Sequence, residues 1–253
     1  MSSCRFAYAL LLLVATSSAG FAETPEEKGR AIAARAESLT DNYRDYTASG
    51  EMILIAGGGS AQRKFDFKAR KISGGNQNIL VFSWPGDIRD TGLLTIGVTS
   101  GNDNQWLYLP AARRVKRISS SSNSGSFVGS EFAYEDMVDQ DLDDYSYRWI
   151  SHEGCCDVVE AYPKFASGYA KQTVRFDSSS GLPVQIDYDP KRGSAQKTLT
   201  ISGYRNYGGV WRPSLLRMKN RANGRSTDLK WSNYHFNAGL SEGEFTTRAL
   251  ERQ

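Results

Sequence analysis

The sequence predicts a mainly β protein, with one antiparallel sheet of about eleven strands and a single N-terminal helix. Short segments rich in β-branched and aromatic residues recur from Asp45 onward, and turn-forming clusters such as Gly57–Gly59 and Gly208–Gly209 separate them. The connections are too short to hold crossover helices, so neighbouring strands must run antiparallel. Because a sheet of this size twists and curls, we expect one curved sheet.

Length and charge limit the classes of protein to consider. The chain has 253 residues, which one large β domain can reach without splitting, and we expect a single domain over residues 23–253. Its core is large enough to need no crosslink. The formal net charge of +3 is too small an excess to predict nucleic-acid binding. We expect a monomer without a cofactor.

Residues 1–22 have the pattern of a secretory signal peptide. Arg5 precedes an apolar run, Ala7–Ala15, that is too short to cross a bilayer, and Gly20–Ala22 offers small residues at a cleavage site. Cys4 lies before the apolar run, so it is not the lipid-modified cysteine of a lipoprotein signal. We expect cleavage after Ala22 and an exported, soluble product.

A helix is predicted directly after this segment. Thr24 as N-cap, Pro25 at the first helical position and Glu27 three residues after the cap form a capping-box pattern. Apolar residues then recur at steps of four, three and four: Ile32, Ala36, Leu39 and Tyr43. The helix should lie along one side of the sheet, either as a fixed cover or as a movable lid over a cavity.

The most distinctive stretch is Gly101–Met137. A turn leads into the strand Gln105–Leu109, and basic residues, a serine run and the aromatic segment Phe127–Asp136 follow. The basic residues are Arg113, Arg114, Lys116 and Arg117. Alternation predicts Arg114 and Lys116 on one face of an extended segment. No other part of the chain brings aromatic, cationic and flexible segments so close together.

With these segments in place, the chain resembles the LolA-like family, in its branch of outer membrane lipoprotein-sorting proteins. The motifs that carry the resemblance are Asp103–Ile118, Gly125–Asp136 and the closing segment Leu240–Thr246, after an exported N-terminal helix and a strand meander. The resemblance implies an incomplete, half-open antiparallel β-barrel with the N-terminal helix packed in its concave face, as in LolA and LolB.

The same resemblance implies a function and a location. It suggests a periplasmic, non-enzymatic carrier or chaperone that binds lipid, or the acyl chains of lipoproteins, for transport to the outer membrane. An inner-membrane exporter or an outer-membrane acceptor would be its protein partner. The alternative is a sensor or accessory module of the same fold that serves a membrane export complex or an envelope-stress pathway.

Candidate site residues follow from this hypothesis. The strand Lys64–Arg70 alternates strictly, which places Phe65 and Phe67 on a covered face. The apolar groove is expected to be lined by aromatic and aliphatic side chains from the helix, the sheet and the central stretch: Ile32, Leu39, Tyr43, Phe65, Phe67, Trp106, Tyr108, Phe127 and Phe132. Alternatively, the aromatic side chains fill the space themselves.

Two parts of the central stretch have open interpretations. Arg113, Arg114 and Arg117 either contact anionic lipid headgroups or a membrane partner, or form an ordinary solvated hairpin. Phe127 and Phe132, on either side of Gly129, either form a hinged apolar flap or pack into the sheet.

Nothing in the sequence favours catalysis. His152, Glu153, Cys155 and Cys156 are metal-ligand types, but their spacing matches no known metal motif, and no metal site is expected. The adjacent cysteines could form a strained vicinal disulfide, link two molecules or remain as thiols.

Overall fold

A computed structural model describes residues 22–191 and 196–252. The predicted signal peptide, apart from its last residue, lies outside the described residues. Within these ranges there are two α-helices, α1 (Pro25–Thr40) and α2 (Thr247–Leu250). Neither they nor the short 3-10 turns within this part of the chain are long and apolar enough to cross a membrane.

Most of the strands form where the sequence predicts them, and in the same order. The strands are β1 (Asp45–Ala56), β2 (Gly59–Ile72), β3 (Gly75–Trp84), β4 (Gly92–Ile96), β5 (Asn104–Leu109), β6 (Arg114–Ile118), β7 (Tyr145–Glu153), β8 (Cys156–Pro163), β9 (Tyr169–Asp177), β10 (Pro183–Pro190), β11 (Lys197–Ser202), β12 (Arg205–Tyr207), β13 (Val210–Arg212), β14 (Leu215–Asn220) and β15 (Ser226–Phe236).

Thirteen of these strands form one antiparallel sheet, in the order β6-β5-β4-β3-β2-β1-β15-β14-β11-β10-β9-β8-β7. Strands β6 and β7 lie at the two edges, so the sheet does not close into a barrel. This confirms the predicted half-open, mainly β architecture. The count exceeds about eleven partly because the basic residues after β5 form a paired strand, β6. The sequence did not predict the separate hairpin formed by β12 and β13.

One face of the sheet carries the main hydrophobic core. Phe65 and Phe67 on β2 are buried on this inner face, as the alternation predicted. Gly50 on β1 is paired with Phe65, and a Cβ atom at Gly50 would lie 2.0 Å from the Phe65 ring. The Phe65 ring therefore occupies the position that a side chain at Gly50 would fill. Trp231 packs edge-on against the Phe65 ring, with the ring centres 5.1 Å apart.

The opposite face is covered over β3–β5 by the C-terminal segment. Phe245 and Leu250 are buried there against Ile79 and Leu94. The isolated apolar residues of the tail thus anchor it to the sheet, which explains their wide spacing in the sequence.

Helix α1 begins as predicted. The Thr24 hydroxyl accepts a hydrogen bond from the Glu27 backbone N–H at 3.1 Å, and the Thr24 N–H donates to the Glu27 carboxylate at 2.8 Å. Its buried face differs from the predicted stripe, because Gly29 and Ala33 are buried together with Ala36.

The small size of these residues explains the difference. A Cβ atom at Gly29 would come within 2.7 Å of the Trp149 backbone nitrogen on β7, so the helix approaches the strand more closely than a larger side chain would allow. Ile32 and Leu39 are only half-buried beside this contact, and Tyr43 lies after the helix has ended.

We predict that Gly29→Ala destabilises the protein by about 1–3 kcal/mol, because the added methyl group meets the β7 backbone. Alanine is the better helix former, so propensity alone would have the opposite effect. Chemical denaturation followed by circular dichroism measures the change. Ala31→Gly, on the exposed side of α1, reports helix propensity alone. A Gly29→Ala protein as stable as the original would contradict the close contact.

Candidate functional site

Two neighbouring cavities lie along the inner face of the sheet. The first, which we call the helix cavity, has a volume of about 250 Å³ and lies between α1 and strands β7–β10. Much of its wall is apolar, formed by Ala33, Ala36, Val174, Phe176 and Ile186. The small face of α1 therefore leaves space that larger side chains would have filled.

The second, the sheet cavity, has a volume of about 190 Å³ and lies over the middle of the sheet. Its apolar wall includes Phe67, Phe132, Leu199, Leu229 and Trp231. The numerous aromatic residues of the inner face thus fill the concave space incompletely.

The two cavities share two lining residues, Asp139 and Arg212. Arg212 ends β13, so the unpredicted hairpin places it there. The centre of its guanidinium group lies 4.9 Å from the ring centres of both Tyr43 and Tyr46. These contacts are cation–π interactions, which occupy the flat face of the guanidinium and leave the N–H groups at its edge available.

Both shared residues have unsatisfied polar atoms. Nε and Nη2 of Arg212 are buried, as is Oδ2 of Asp139, and none of these atoms has a hydrogen-bond partner within the described residues. Burial raises the pKa of Asp139, although the charge of Arg212 opposes this effect. No ion pair joins the two side chains in this part of the chain. The junction of the cavities is thus a polar position with unused hydrogen-bonding capacity.

A short hairpin, residues 126–133, covers part of the inner face. Phe127 and Phe132 are 0% and 2% exposed, and the Phe127 N–H donates to the Phe132 carbonyl at 2.8 Å. Of the two predicted arrangements, the packed one is therefore observed, with the Phe127 ring stacked on Phe82 at 6.0 Å. Phe132 alone of the pair reaches the sheet cavity.

The tip of the 126–133 hairpin is also fixed. Val128 adopts a φ of 43°, an uncommon conformation for a β-branched residue, and its carbonyl accepts a hydrogen bond from Arg63 at 2.6 Å. Arg225 forms an ion pair with Glu131 at 3.0 Å. These contacts link the hairpin to β2 and to the turn before β15.

The next residues attach the central stretch to β9. Glu135 accepts hydrogen bonds from the Ser167 hydroxyl at 2.6 Å and the Gly168 N–H at 3.0 Å. The Asp136 carboxylate accepts from the Tyr169 hydroxyl at 3.0 Å and the Ala133 N–H at 2.7 Å. Burial raises the pKa of Asp136 from 3.8 to about 6, although the charge of a neighbouring lysine and these hydrogen bonds oppose the rise.

The predicted groove residues divide between the two faces. Phe65, Phe67, Phe127 and Phe132 lie on the inner face, and Tyr43 packs against this core beside Arg212. Of these residues, Phe67 and Phe132 line the sheet cavity, whereas Tyr43, Phe65 and Phe127 line neither cavity. Ile32 packs beside the helix cavity without lining it, and Leu39 lines neither cavity.

Trp106 and Tyr108 are on the opposite face. They pack with the C-terminal segment, so the prediction that they line the inner groove does not fit their position. The alternation along β5 makes Leu107 the inward residue instead. Alternation separates the two faces of a strand, but the sequence alone did not identify which face was inward.

The basic residues of the central stretch are on the edge strand β6 and the turn before it. Arg114 and Lys116 share one face of β6, as predicted, because they pair with Leu109 and Leu107. Arg113 and Arg114 are exposed, and Arg117 donates a hydrogen bond to Asn104. Charged side chains on an edge strand also discourage pairing with other chains.

The cysteine and histidine cluster lies at the turn between β7 and β8. Cys155 is exposed, Cys156 is buried, and their sulfur atoms are 3.3 Å apart as free thiols. Burial raises the pKa of Cys156 to about 11, so this thiol is not an activated nucleophile. Within the described ranges, no group of three or more acidic, histidine or cysteine residues has a metal-binding arrangement.

Sequence reasoning missed Arg212 and Asp139. Three-residue strands such as β12 and β13 give too little periodicity to predict, although the glycine pair between them was identified as a turn. Asp139 lies in an acidic loop that has the composition of a solvated segment. Arg212 and Asp139 form a candidate site only because the fold brings the β12–β13 hairpin and the acidic loop together.

We predict that Asp136→Asn makes the protein progressively more stable, relative to the original, as the pH rises from about 4 to 7. The folded protein holds the Asp136 proton up to about pH 6 and the unfolded chain loses it near 3.8, so ionisation lowers the stability across this window. The full effect is about 3 kcal/mol at most. Thermal unfolding at several pH values measures the difference.

Asp66→Asn, on the exposed side of β2, is the matched control for this measurement. Its stability should follow that of the original protein at every pH. Equal pH dependence for Asp136→Asn and the original would show that Asp136 ionises as freely in the folded protein as in the unfolded chain.

Comparisons with known proteins agree with this architecture. A family model described only as an uncharacterized protein matches residues 74–252. A crystal structure of a candidate outer membrane lipoprotein-sorting protein domain from Vibrio parahaemolyticus is 36% identical, with a TM-score of 0.86, over 90% of this chain and 100% of that one. A DUF1329 family protein from Desulfovibrio piger is 28% identical, with a TM-score of 0.84, over 90% and 99% of the two chains.

A LolA superfamily protein from Nitrosomonas europaea shares the fold at 18% identity, with a TM-score of 0.71, over 87% of this chain and 98% of that one. None of the curated proteins compared with the chain matches it. The matched regions include the strand meander, the central stretch and the closing segment that carried the resemblance in the sequence. The chain belongs to the LolA-like family, in the branch of outer membrane lipoprotein-sorting proteins.

Proposed function

We propose that the protein is a periplasmic, non-enzymatic carrier or chaperone that holds lipid, or the acyl chains of lipoproteins, in the helix and sheet cavities during transport to the outer membrane. The observation that carries the proposal is the pair of adjoining cavities under α1 and the 126–133 hairpin. An exported protein of a lipoprotein-sorting family with unfilled apolar space in its core fits this role.

The energetics support binding of an acyl chain. Burial of a methylene group contributes about 0.8 kcal/mol, so even a partly enclosed chain gains several kcal/mol. Because the close contact of α1 with β7 and the hydrogen bonds of the 126–133 hairpin hold the walls in place, little ordering is needed on binding. Because less entropy is lost in ordering a preformed cavity, more of the free energy gained by burying the acyl chain contributes to affinity.

We predict that Ala36→Phe lowers the amount of bound lipid, because the ring occupies the helix cavity that Ala36 lines. The protein is purified from its native periplasm and extracted, and the lipid per protein is measured by mass spectrometry. Ala31→Phe, which adds the same ring on the exposed side of α1, is the control and should retain the lipid.

Thermal unfolding of both variants checks that they are folded. Stoichiometric lipid or acylated peptide in the original protein and the Ala31→Phe control, with at least a several-fold loss in Ala36→Phe, supports the carrier. A ligand-free original protein would contradict the proposal and favour a sensor or accessory module.

The second part of the proposal concerns the membrane or its transport partners. Arg113 and Arg114 lie at the end of the sheet where β3 and β5 finish with the exposed side chains Trp84 and Leu109. Basic groups beside exposed apolar groups suit the surface of an anionic membrane. We propose that this edge, with Arg117, contacts lipid headgroups when cargo is exchanged.

We predict that replacing Arg113, Arg114 and Arg117 together by Gln weakens binding to vesicles that contain phosphatidylglycerol, by about tenfold at low ionic strength, because each removed charge contributes about 1 kcal/mol or less near the surface. Vesicle co-sedimentation measures the change, and salt should reduce the difference. The same substitution at Arg205, Lys219 and Arg248, which are also exposed, removes an equal charge elsewhere. Equal losses in the two triple variants would contradict a specific basic edge.

A further inference from the structure

We propose that Arg212 recognises an acidic head group, a carboxylate or a phosphate, of a single-chain amphiphile whose hydrocarbon chain lies in the helix or the sheet cavity. The inference rests on the proposed lipid-binding function and adds the chemical class of the ligand and its polar contact. It is carried by the position of Arg212 and by its unpaired donors at the junction of the two cavities.

Arg212 has unused hydrogen-bonding capacity at Nε and Nη2. A guanidinium is always charged and has five N–H donors, of which those on Nε and Nη2 are buried here without an acceptor within the described residues. Together, Nε and one terminal nitrogen match the two oxygens of a carboxylate or phosphate. A buried, unpaired charge is costly, so an anion bound at this point would remove a penalty as well as add hydrogen bonds.

Two tyrosine rings hold the guanidinium group of Arg212 in its orientation. Tyr43 and Tyr46, each with its ring centre 4.9 Å from the guanidinium carbon, restrict movement of the Arg212 side chain. The Tyr43 and Tyr46 rings are themselves packed edge to face at 5.0 Å. The cation is thus held in place before a ligand arrives, which reduces the entropy lost on binding.

Asp139 is the acidic residue at the junction of the cavities that would otherwise neutralise the Arg212 guanidinium. The two side chains share both cavities but form no ion pair in the described structure, and Oδ2 of Asp139 is itself unpaired. Burial raises the pKa of Asp139, although the charge of Arg212 opposes the rise. Nearby, Lys71 is paired with Asp41, so these two charges largely offset each other.

The volumes of the helix and sheet cavities limit the size of the hydrocarbon part of the ligand. Each cavity is larger than the roughly 150 Å³ that holds a benzene molecule in an engineered protein core, and smaller than the roughly 300 Å³ at which pockets for drug-sized ligands begin. One hydrocarbon chain fits such a space better than a lipid with two or three chains. A singly acylated acid is therefore the smallest ligand class that would fill one cavity and reach Arg212.

The experiment compares three probes with the same chain: laurate, dodecyl phosphate and the uncharged dodecanol. Equilibrium dialysis at pH 8, below the micellar concentrations, measures their affinities for the mature protein. We expect the better of the two anions to bind at least tenfold more tightly than dodecanol. Laurate and dodecyl phosphate distinguish a fatty acid from a phosphate head group as the preferred source of the anion.

Variants then assign the preference to Arg212. Arg212→Gln should bring the affinities of the anion and dodecanol within about twofold of each other, and Arg212→Lys should give an intermediate ratio because it keeps the charge but loses the planar pair of donors. Arg205→Gln is a matched control, since Arg205 is exposed and pairs with Arg212 across the same hairpin. It should retain the original ratio.

The outcomes separate this inference from the proposed function. Equal binding of all three probes by the original protein would leave the carrier standing and overturn anion recognition. Anion recognition would also be overturned if Arg212→Gln still bound the anion more tightly than dodecanol. It would likewise be overturned if Arg212→Gln lost stability but kept the original ratio of affinities, which is the result expected if Arg212 only offsets the charge of Asp139. Absence of binding by every probe would overturn both. Because the original protein is tested first, poor folding of a variant does not remove the test.

Discussion

The architecture depends on the antiparallel pairing of β1 with β15. Met52 faces Leu229 and Gly50 faces Trp231 across this pair, and a register shift near Thr47 lets it continue to Phe236. The pairing joins strands from opposite ends of the chain, so it closes a long loop at a substantial cost in entropy. In return, two separate meanders become one sheet with a continuous inner face, and the main hydrophobic core is built on that face.

The same arrangement leaves the sheet open, and the open space is where the site forms. Because β6 and β7 remain at the edges, the inner face must be covered by other parts of the chain. Helix α1 covers one side with a narrow face of small residues, and the 126–133 hairpin covers part of the middle with Phe127 and Phe132. Small residues allow a close approach to β7 but fill little volume, so cavities remain beside a well-packed aromatic core.

The walls of this space are more apolar than polar, with acidic and amide side chains at several points and with Arg212 and Asp139 where the two cavities meet. Aliphatic and aromatic walls favour a hydrocarbon chain, whereas Arg212 and Asp139 bring unpaired polar atoms to the point where the two cavities meet. Such a pattern resembles a typical small-molecule site, in which a few placed polar groups orient a mostly apolar ligand. The basic edge at Arg113 and Arg114 is separate from this junction and faces solvent. The proposed binding of a hydrocarbon chain and the proposed contact with a membrane therefore involve different parts of the molecule.

The sequence by itself determined most of the helices and strands and the family. The capping box at Thr24, the alternation around Phe65 and Phe67 and the motifs of the central stretch are local patterns, and local patterns are legible in one chain. Only the tertiary structure decided which strand face is inward, and so moved Trp106 and Tyr108 away from the predicted groove. It also decided that Gly29 rather than a larger residue sets the contact of α1 with β7 and that Arg212 reaches the cavities. These features arise from contacts between segments that are distant in the sequence. No local sequence pattern encodes how closely such segments approach or how much volume remains between them.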